Sequence, residues 1–288
     1  MFGTPRLLVD CRCTLGEGAL WHPERRELFW FDIPEGRLFA CDAEGGGLRD
    51  WRFGEPASAA AWVDRRTLLV ATASAVLSFN VETGARTLVC SLEADRPATR
   101  ANDGRCDPAG GFWIGTMGRA AEPGAGGIHR VFAGRLETLF APLTIPNAIC
   151  FAPDGRTAYF ADSADGVICR APIKSDGRPC GAPTPFVGIP DAAPDGAVCD
   201  AKGDVWNAQW DGWRVRRYGA DGALKETHSM PVSRPTSVAF GGEDMRLLFV
   251  TSARDGLSEA ELAKQPNAGG VFVIETDAVG QPDHAAIV

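Results

Sequence analysis

Apolar residues come in short runs along this chain, four to six β-branched, aliphatic or aromatic residues at a time, and the runs are separated by turns of Gly, Pro and Asp. Helical periodicity is scarce, and runs of this length with these boundaries are strand signals, so the pattern predicts an all-β protein. One stretch departs from it. Ser258 followed by Glu259, Ala260, Glu261, Leu262, Ala263 and Lys264 predicts a short helix with a serine cap.

The runs themselves recur. Six segments align: Glu17-Gly18-Ala19-Leu20-Trp21, Ser58-Ala59-Ala60-Ala61-Trp62, Asn102-Asp103-Gly104-Arg105-Cys106, Asn147-Ala148-Ile149-Cys150-Phe151, Asp195-Gly196-Ala197-Val198-Cys199 and Thr236-Ser237-Val238-Ala239-Phe240. Each leads through a turn such as Asp107-Pro108-Ala109-Gly110 or Pro153-Asp154-Gly155 into a second strand such as Phe112-Trp113-Ile114 or Ala158-Tyr159-Phe160. A period of about 40 to 45 residues is what one four-stranded propeller blade requires. The expectation is a six-bladed β-propeller with four antiparallel strands per blade, formed by residues 1–288 as a single domain. Its sheet edges would be sealed by Arg6-Leu7-Leu8-Val9 joining the last blade beside Gly270-Val271-Phe272-Val273-Ile274.

The first strand of a blade runs nearest the axis, so the residue that begins each segment is expected at the mouth of the central channel. Those residues are Glu17, Ser58, Asn102, Asn147, Asp195 and Thr236, and every one carries a side-chain oxygen. Carboxylates converging with amide oxygens suit a hard divalent cation. The plainer reading is that these side chains cap strand ends and bind channel water. None of the four histidines, His22, His129, His228 and His284, begins a repeat.

Composition narrows the partners. Hydrophobic residues make up 45% and charged residues 23%, values of an ordinary globular protein, and a net charge of −8 repels phosphate backbones and anionic lipid, so no nucleic acid partner is expected. No apolar run approaches the length needed to span a bilayer, and the N-terminus lacks a signal-peptide core, so the expected location is cytoplasmic with no membrane partner. A closed propeller satisfies its own edges, which favours a monomer. The nine cysteines form no CxxC pair and several lie in apolar strand patterns, so buried reduced thiols are expected. Of the tryptophans near the fifth repeat, Trp206 and Trp213 read as packing, and Trp210, in the Gln209-Trp210-Asp211-Gly212 loop, also has reach to the channel entrance.

Leu15-Gly16-Glu17-Gly18, Arg100-Ala101-Asn102-Asp103-Gly104 with Asp107-Pro108 and Gly115-Thr116-Met117, Pro146-Asn147-Ala148, Pro194-Asp195-Gly196 and Thr251-Ser252-Ala253 stand in an order and spacing that resembles the regucalcin (senescence marker protein) and gluconolactonase family of six-bladed propellers. The resemblance runs through essentially the whole chain. It implies one divalent metal ion held by Glu17, Asn147 and Asp195, with Ca, Zn, Mn, Mg and Fe(II) all open. It also implies substrate contacts from Arg100 and Asn102, and hydrolysis of a sugar lactone to the aldonic acid. Asp195 is the expected general base, although ligation to a cation weakens a carboxylate as a base. Members of that family often place an acid soon after the Gly-Thr-Met segment; here the nearest is Glu122, in a shifted position. The competing readings are an aryl-ester or organophosphate hydrolase of propeller type, which needs a base such as histidine at the mouth, and a calcium-binding propeller without catalysis.

Overall fold

The computed structural model describes residues 3–288. Six sheets of four strands each stand around a common axis, every hydrogen-bonded pair antiparallel. The innermost strands are Gly16–His22, Ala57–Asp64, Thr99–Cys106, Pro146–Phe151, Ala193–Cys199 and Pro235–Gly241, which define blades 1 to 6. Each adjoins the next right round the ring, the sixth against the first. The fold is the six-bladed β-propeller that the repeat predicts.

The ring closes as expected. Arg6–Val9 pairs with Val271–Glu275 of blade 6, Arg6 opposite Val273 and Leu7 opposite Phe272, so the two ends of the chain share one sheet. The predicted helix forms over Glu259–Lys264, with the Ser258 side chain and Glu261 in a reciprocal capping box. Among the described residues no helix is long and apolar enough to cross a membrane.

Each pair of neighbouring blades encloses its own apolar layer. Trp113, Phe151 and Phe160 fill the space between blades 3 and 4, and Trp206 and Phe240 that between blades 5 and 6. Trp21 stacks on Phe249 at 5.5 Å across the junction of blades 1 and 6. Truncating one such aromatic to alanine costs about 3–5 kcal/mol. The Asp-rich turns are tied to these layers. Asp107 accepts from Trp113 Nε1 at 3.0 Å and from Arg130 Nε at 2.6 Å, and Asp200 accepts from Trp206 Nε1 at 3.1 Å in the same way.

All nine cysteines are free thiols, but only five are buried; Cys11, Cys90 and Cys169 are half-buried and Cys180 is exposed, so the expectation of buried thiols holds only in part. Cys180 lies in the connection between strands Val167–Pro172 and Thr184–Gly188.

Two features position the channel mouth. Every inner strand slips register at its mouth-facing end. Gly18-Ala19, Asn102-Asp103, Ala148-Ile149, Asp195-Gly196 and Thr236-Ser237 each stand opposite a single residue of the neighbouring strand, which is a β-bulge, the device that re-aims a side chain out of the pleat. The opposite face is crossed by residues 277–288. There Trp62 Nε1 donates to the Asp283 carbonyl at 2.9 Å, and the Asp283 carboxylate pairs with the buried Arg105.

Candidate active site

A bulge leaves backbone N–H groups without ladder partners, and side chains from the adjacent blade take them. Asp103 Oδ2 accepts from the Ile149 amide at 2.7 Å, and Ser237 Oγ accepts from the Ala19 amide at 3.2 Å. Asp103 is therefore a latch between blades 3 and 4, and it also caps the Gly104 amide at 2.8 Å. Gly18 is required where it stands: its φ is +60° and a Cβ there would overlap the Ser58 carbonyl.

With the bulges in place, Glu17, Arg100, Asn102, Asn147 and Asp195 line one cavity of about 330 Å³ at the channel mouth. All five residues singled out in the sequence meet there, from four blades. Ser58 and Thr236 are not part of its lining. Bulge register does not by itself sort the six positions, since Glu17 and Asn147 sit just before their bulges while Thr236 opens its bulge as Asn102 and Asp195 open theirs. Thr236 Oγ1 turns instead to the Gly16 carbonyl and to Thr251. A larger groove of about 610 Å³, lined by Pro153, Asp154, Tyr159, Arg170 and Lys202, lies at the turns on the other face, and no carboxylates converge in it.

The cavity is organised by one chain of hydrogen bonds. Arg100 Nη1 donates to Asn102 Oδ1 at 2.8 Å, Asn102 Nδ2 to Asn147 Oδ1 at 3.1 Å, Asn147 Nδ2 to Ser163 Oγ at 2.9 Å, and Ser163 Oγ to the Pro194 carbonyl at 2.6 Å. That chain spans blades 3 to 5 and ends one residue before Asp195. On the far side Asn207 Nδ2 grips the Asp195 carbonyl at 2.8 Å.

The two acids are both buried, 5% and 4% exposed, and each perturbs the other's titration. Burial first, then the charge of Asp103, pushes the Glu17 carboxyl up to about 8. Burial and the charge of Glu17 hold Asp195 well above the usual carboxylate range. Asp195 Oδ1 has no hydrogen-bond partner at all. Two buried carboxyls, one with an orphaned oxygen, beside an amide oxygen are a donor set that a hard cation fits, because its charge offsets the burial cost that raises both acids. Among the described residues no three His, Cys, Asp or Glu side chains form such a group, so an ion here depends on the amide oxygen of Asn147 as the third donor.

Other lining residues carry weaker sequence signals. Trp210 reaches the cavity, with Arg234 over its ring at 4.7 Å, whereas Trp206 is core and Trp213 is exposed at 45%. Arg119, Ser163 and Asp255 also line it and were not legible in the repeats, since they come from loops and second strands whose place depends on the folded ring. Glu122 does not face the cavity. It accepts from the Ala120 amide at 3.1 Å and so shapes the loop that carries Arg119 to the rim. None of the four histidines lines the cavity.

Residues 15–254 match the model of the SMP-30/Gluconolactonase/LRE-like region. An L-arabinolactonase from Azospirillum brasilense is 42% identical over 96% of this chain and 94% of its own. A pentonolactonase from Haloferax volcanii is 33% identical over 96% of both chains. A calcium-binding regucalcin from Agrobacterium tumefaciens superposes with a TM-score of 0.96 at 35% identity, covering 99% of this chain and 98% of that one. A family model spanning most of the chain and relatives at these identities over nearly its full length show that the protein belongs to the SMP-30/gluconolactonase/LRE-like family.

Proposed function

We propose that this chain is a hydrolase that opens a sugar lactone to the aldonic acid, using one divalent cation held by Glu17, Asn147 and Asp195. The observation that carries the reading is Asp195, which lines a cavity of about 330 Å³, a volume suited to a small ligand, and has one buried carboxylate oxygen without a partner. Two of the relatives described above are named for lactones of five-carbon sugars, which makes pentonolactones the first substrates to test.

The cation, when bound, supplies Lewis-acid polarisation of the lactone carbonyl. Asp195 is the general base. Burial and the charge of Glu17 raise its proton affinity above that of an exposed carboxylate, which favours its taking a proton from the attacking water. Arg100 is held by Asn102 and by the Ala101 carbonyl at 2.9 Å, leaving the rest of its fork to donate to ring and hydroxyl oxygens. Leu15, Met117 and Ile145 form apolar walls and Trp210 an aromatic one, surfaces on which the C–H faces of a sugar ring pack.

A histidine-dependent esterase reading gains nothing from the cavity, which no histidine lines. The test is a pH-stat assay over a panel of aldonolactones, with an aryl ester alongside, using protein stripped of metal and then reconstituted with Ca²⁺, Zn²⁺, Mn²⁺ or Mg²⁺. Lactone opening above the spontaneous rate only after reconstitution supports the reading. Full activity in stripped protein, or ester turnover with inert lactones, overturns it.

A further inference from the structure

The loop between the sealing strand Arg6–Val9 and the inner strand Gly16–His22 brings two thiols together. Cys11 is half-buried and Cys13 buried, and the Cys13 thiol donates to the Cys11 sulfur at 3.5 Å. Alternate residues of an extended chain stand about 7 Å apart, so a contact this close requires the backbone to fold between them. It does: Arg12 has φ of +51°, a left-handed conformation that non-glycine residues rarely adopt. The fold is held by the Cys13 amide donating to the Gly269 carbonyl at 2.9 Å and by the Cys11 thiol donating to the same oxygen at 3.2 Å.

A third group completes the arrangement. Trp30 is fully buried in the apolar layer that contains Cys13 and abuts Cys11, and its indole N–H has no hydrogen-bond acceptor. The Cys13 thiol is the largest influence lowering the Cys11 thiol from its ordinary value, burial opposes it, and the Trp30 indole adds a smaller lowering, while the contact with Cys11 and burial push Cys13 up. Neither cysteine lines the lactone cavity.

We propose that Cys11 and Cys13 form a peroxide-reactive pair, with Cys11 the attacking thiolate and Cys13 the resolving thiol. The Cys11 sulfur attacks one oxygen of hydrogen peroxide; the S–O bond forms, the O–O bond breaks, and the departing hydroxide leaves as water with the Cys11 proton. The Cys13 sulfur then attacks the sulfenic acid, the S–S bond forms at about 2 Å, and the hydroxyl leaves as a second water with the Cys13 proton. The two sulfurs together lose two electrons and one peroxide is reduced to two waters. A partly exposed thiol of lowered proton affinity beside a resolving cysteine is the arrangement that makes such chemistry selective.

Peroxide titration of the full-length protein, followed by alkylation and tryptic mapping, tests it. Trypsin cuts after Arg12, so the product is peptide 7–12 joined to 13–25 until reduced, or the uncut 7–25 peptide lighter by two hydrogens. Cys11 should oxidise at least about ten-fold faster than the exposed Cys180 in the same molecule. Cys13→Ser should leave Cys11 as a sulfenic acid trapped by dimedone, and Cys11→Ser should abolish the crosslink. Oxidation of Cys11 no faster than that of Cys180 in the unsubstituted protein overturns the proposal, whatever the variants do.

Discussion

Asn102 donates its side-chain amide to Oδ1 of Asn147 at 3.1 Å, joining the inner strands of blades 3 and 4 at the channel mouth. The same nitrogen reaches the Pro146 carbonyl at 3.0 Å, while Asn102 Oδ1 receives Arg100. One side chain thus orients both a candidate metal ligand and the candidate substrate clamp. Asn102→Ala should lower kcat/KM by about 10- to 100-fold, the usual cost of losing a residue that orients a ligand, and should also weaken cation binding. Steady-state kinetics with a metal titration measures both effects; a change in KM alone would show that only the Arg100 arm matters.

Asp195→Asn keeps size and shape at a buried position while removing the base. The expected loss in kcat is about 10²- to 10⁴-fold. Melting of the metal-free variant should come no lower than that of the parent, because a neutral amide escapes the burial cost that raises the Asp195 carboxyl. Unchanged turnover would remove Asp195 from the mechanism.

The pH dependence of stability follows from the same pair. Glu17 is raised from 4.5 to about 8, so the cation-free folded protein holds this proton more tightly than the unfolded chain does. The stability it contributes is full below the unfolded value and is lost as pH rises through the folded one. A divalent cation replaces the proton, so its stabilising effect should grow from about pH 5 to about pH 8 and reach about 2.7 kcal/mol at a hundredfold excess over Kd. Tm with and without added Ca²⁺ or Zn²⁺ after chelation measures it. Equal gains at both pH values would place the ion elsewhere.

Gly18→Ala probes the backbone beside Glu17. The left-handed φ and the overlap of a Cβ with the Ser58 carbonyl make about 2–4 kcal/mol of destabilisation the expectation, with loss of activity because Glu17 is displaced. Denaturant midpoints and the lactone assay read the two effects.

The last prediction concerns the face opposite the site. Asp283→Ala strands the Arg105 guanidinium, whose remaining hydrogen bond is to the Val238 carbonyl at 3.1 Å. Removing one partner of a buried ion pair costs about 3–5 kcal/mol. A fall in unfolding midpoint of that size, with kcat little changed, would show that the C-terminal strap seals the ring without shaping the cavity.

Period and turn chemistry carried the fold. Six apolar segments at blade spacing, each followed by an Asp- or Gly-rich turn, leave few ways to bury their apolar faces, and the sealing strand and the capped helix follow from equally local signals. The repeat placed Glu17, Asn147 and Asp195 among six oxygen-bearing positions, and the family resemblance singled these three out as a candidate ligand set. Tertiary structure decided which of the six enter the cavity, since Thr236 Oγ1 is taken up by the Gly16 carbonyl and Thr251 and neither Thr236 nor Ser58 lines it. It also decided the roles of Ser163, Asn207, Arg119 and Asp255, whose neighbours in space lie in other strands and loops of the ring. Hydrophobic period is a property of the chain, whereas a hydrogen bond such as Ser163 to Pro194 exists only once two blades stand side by side.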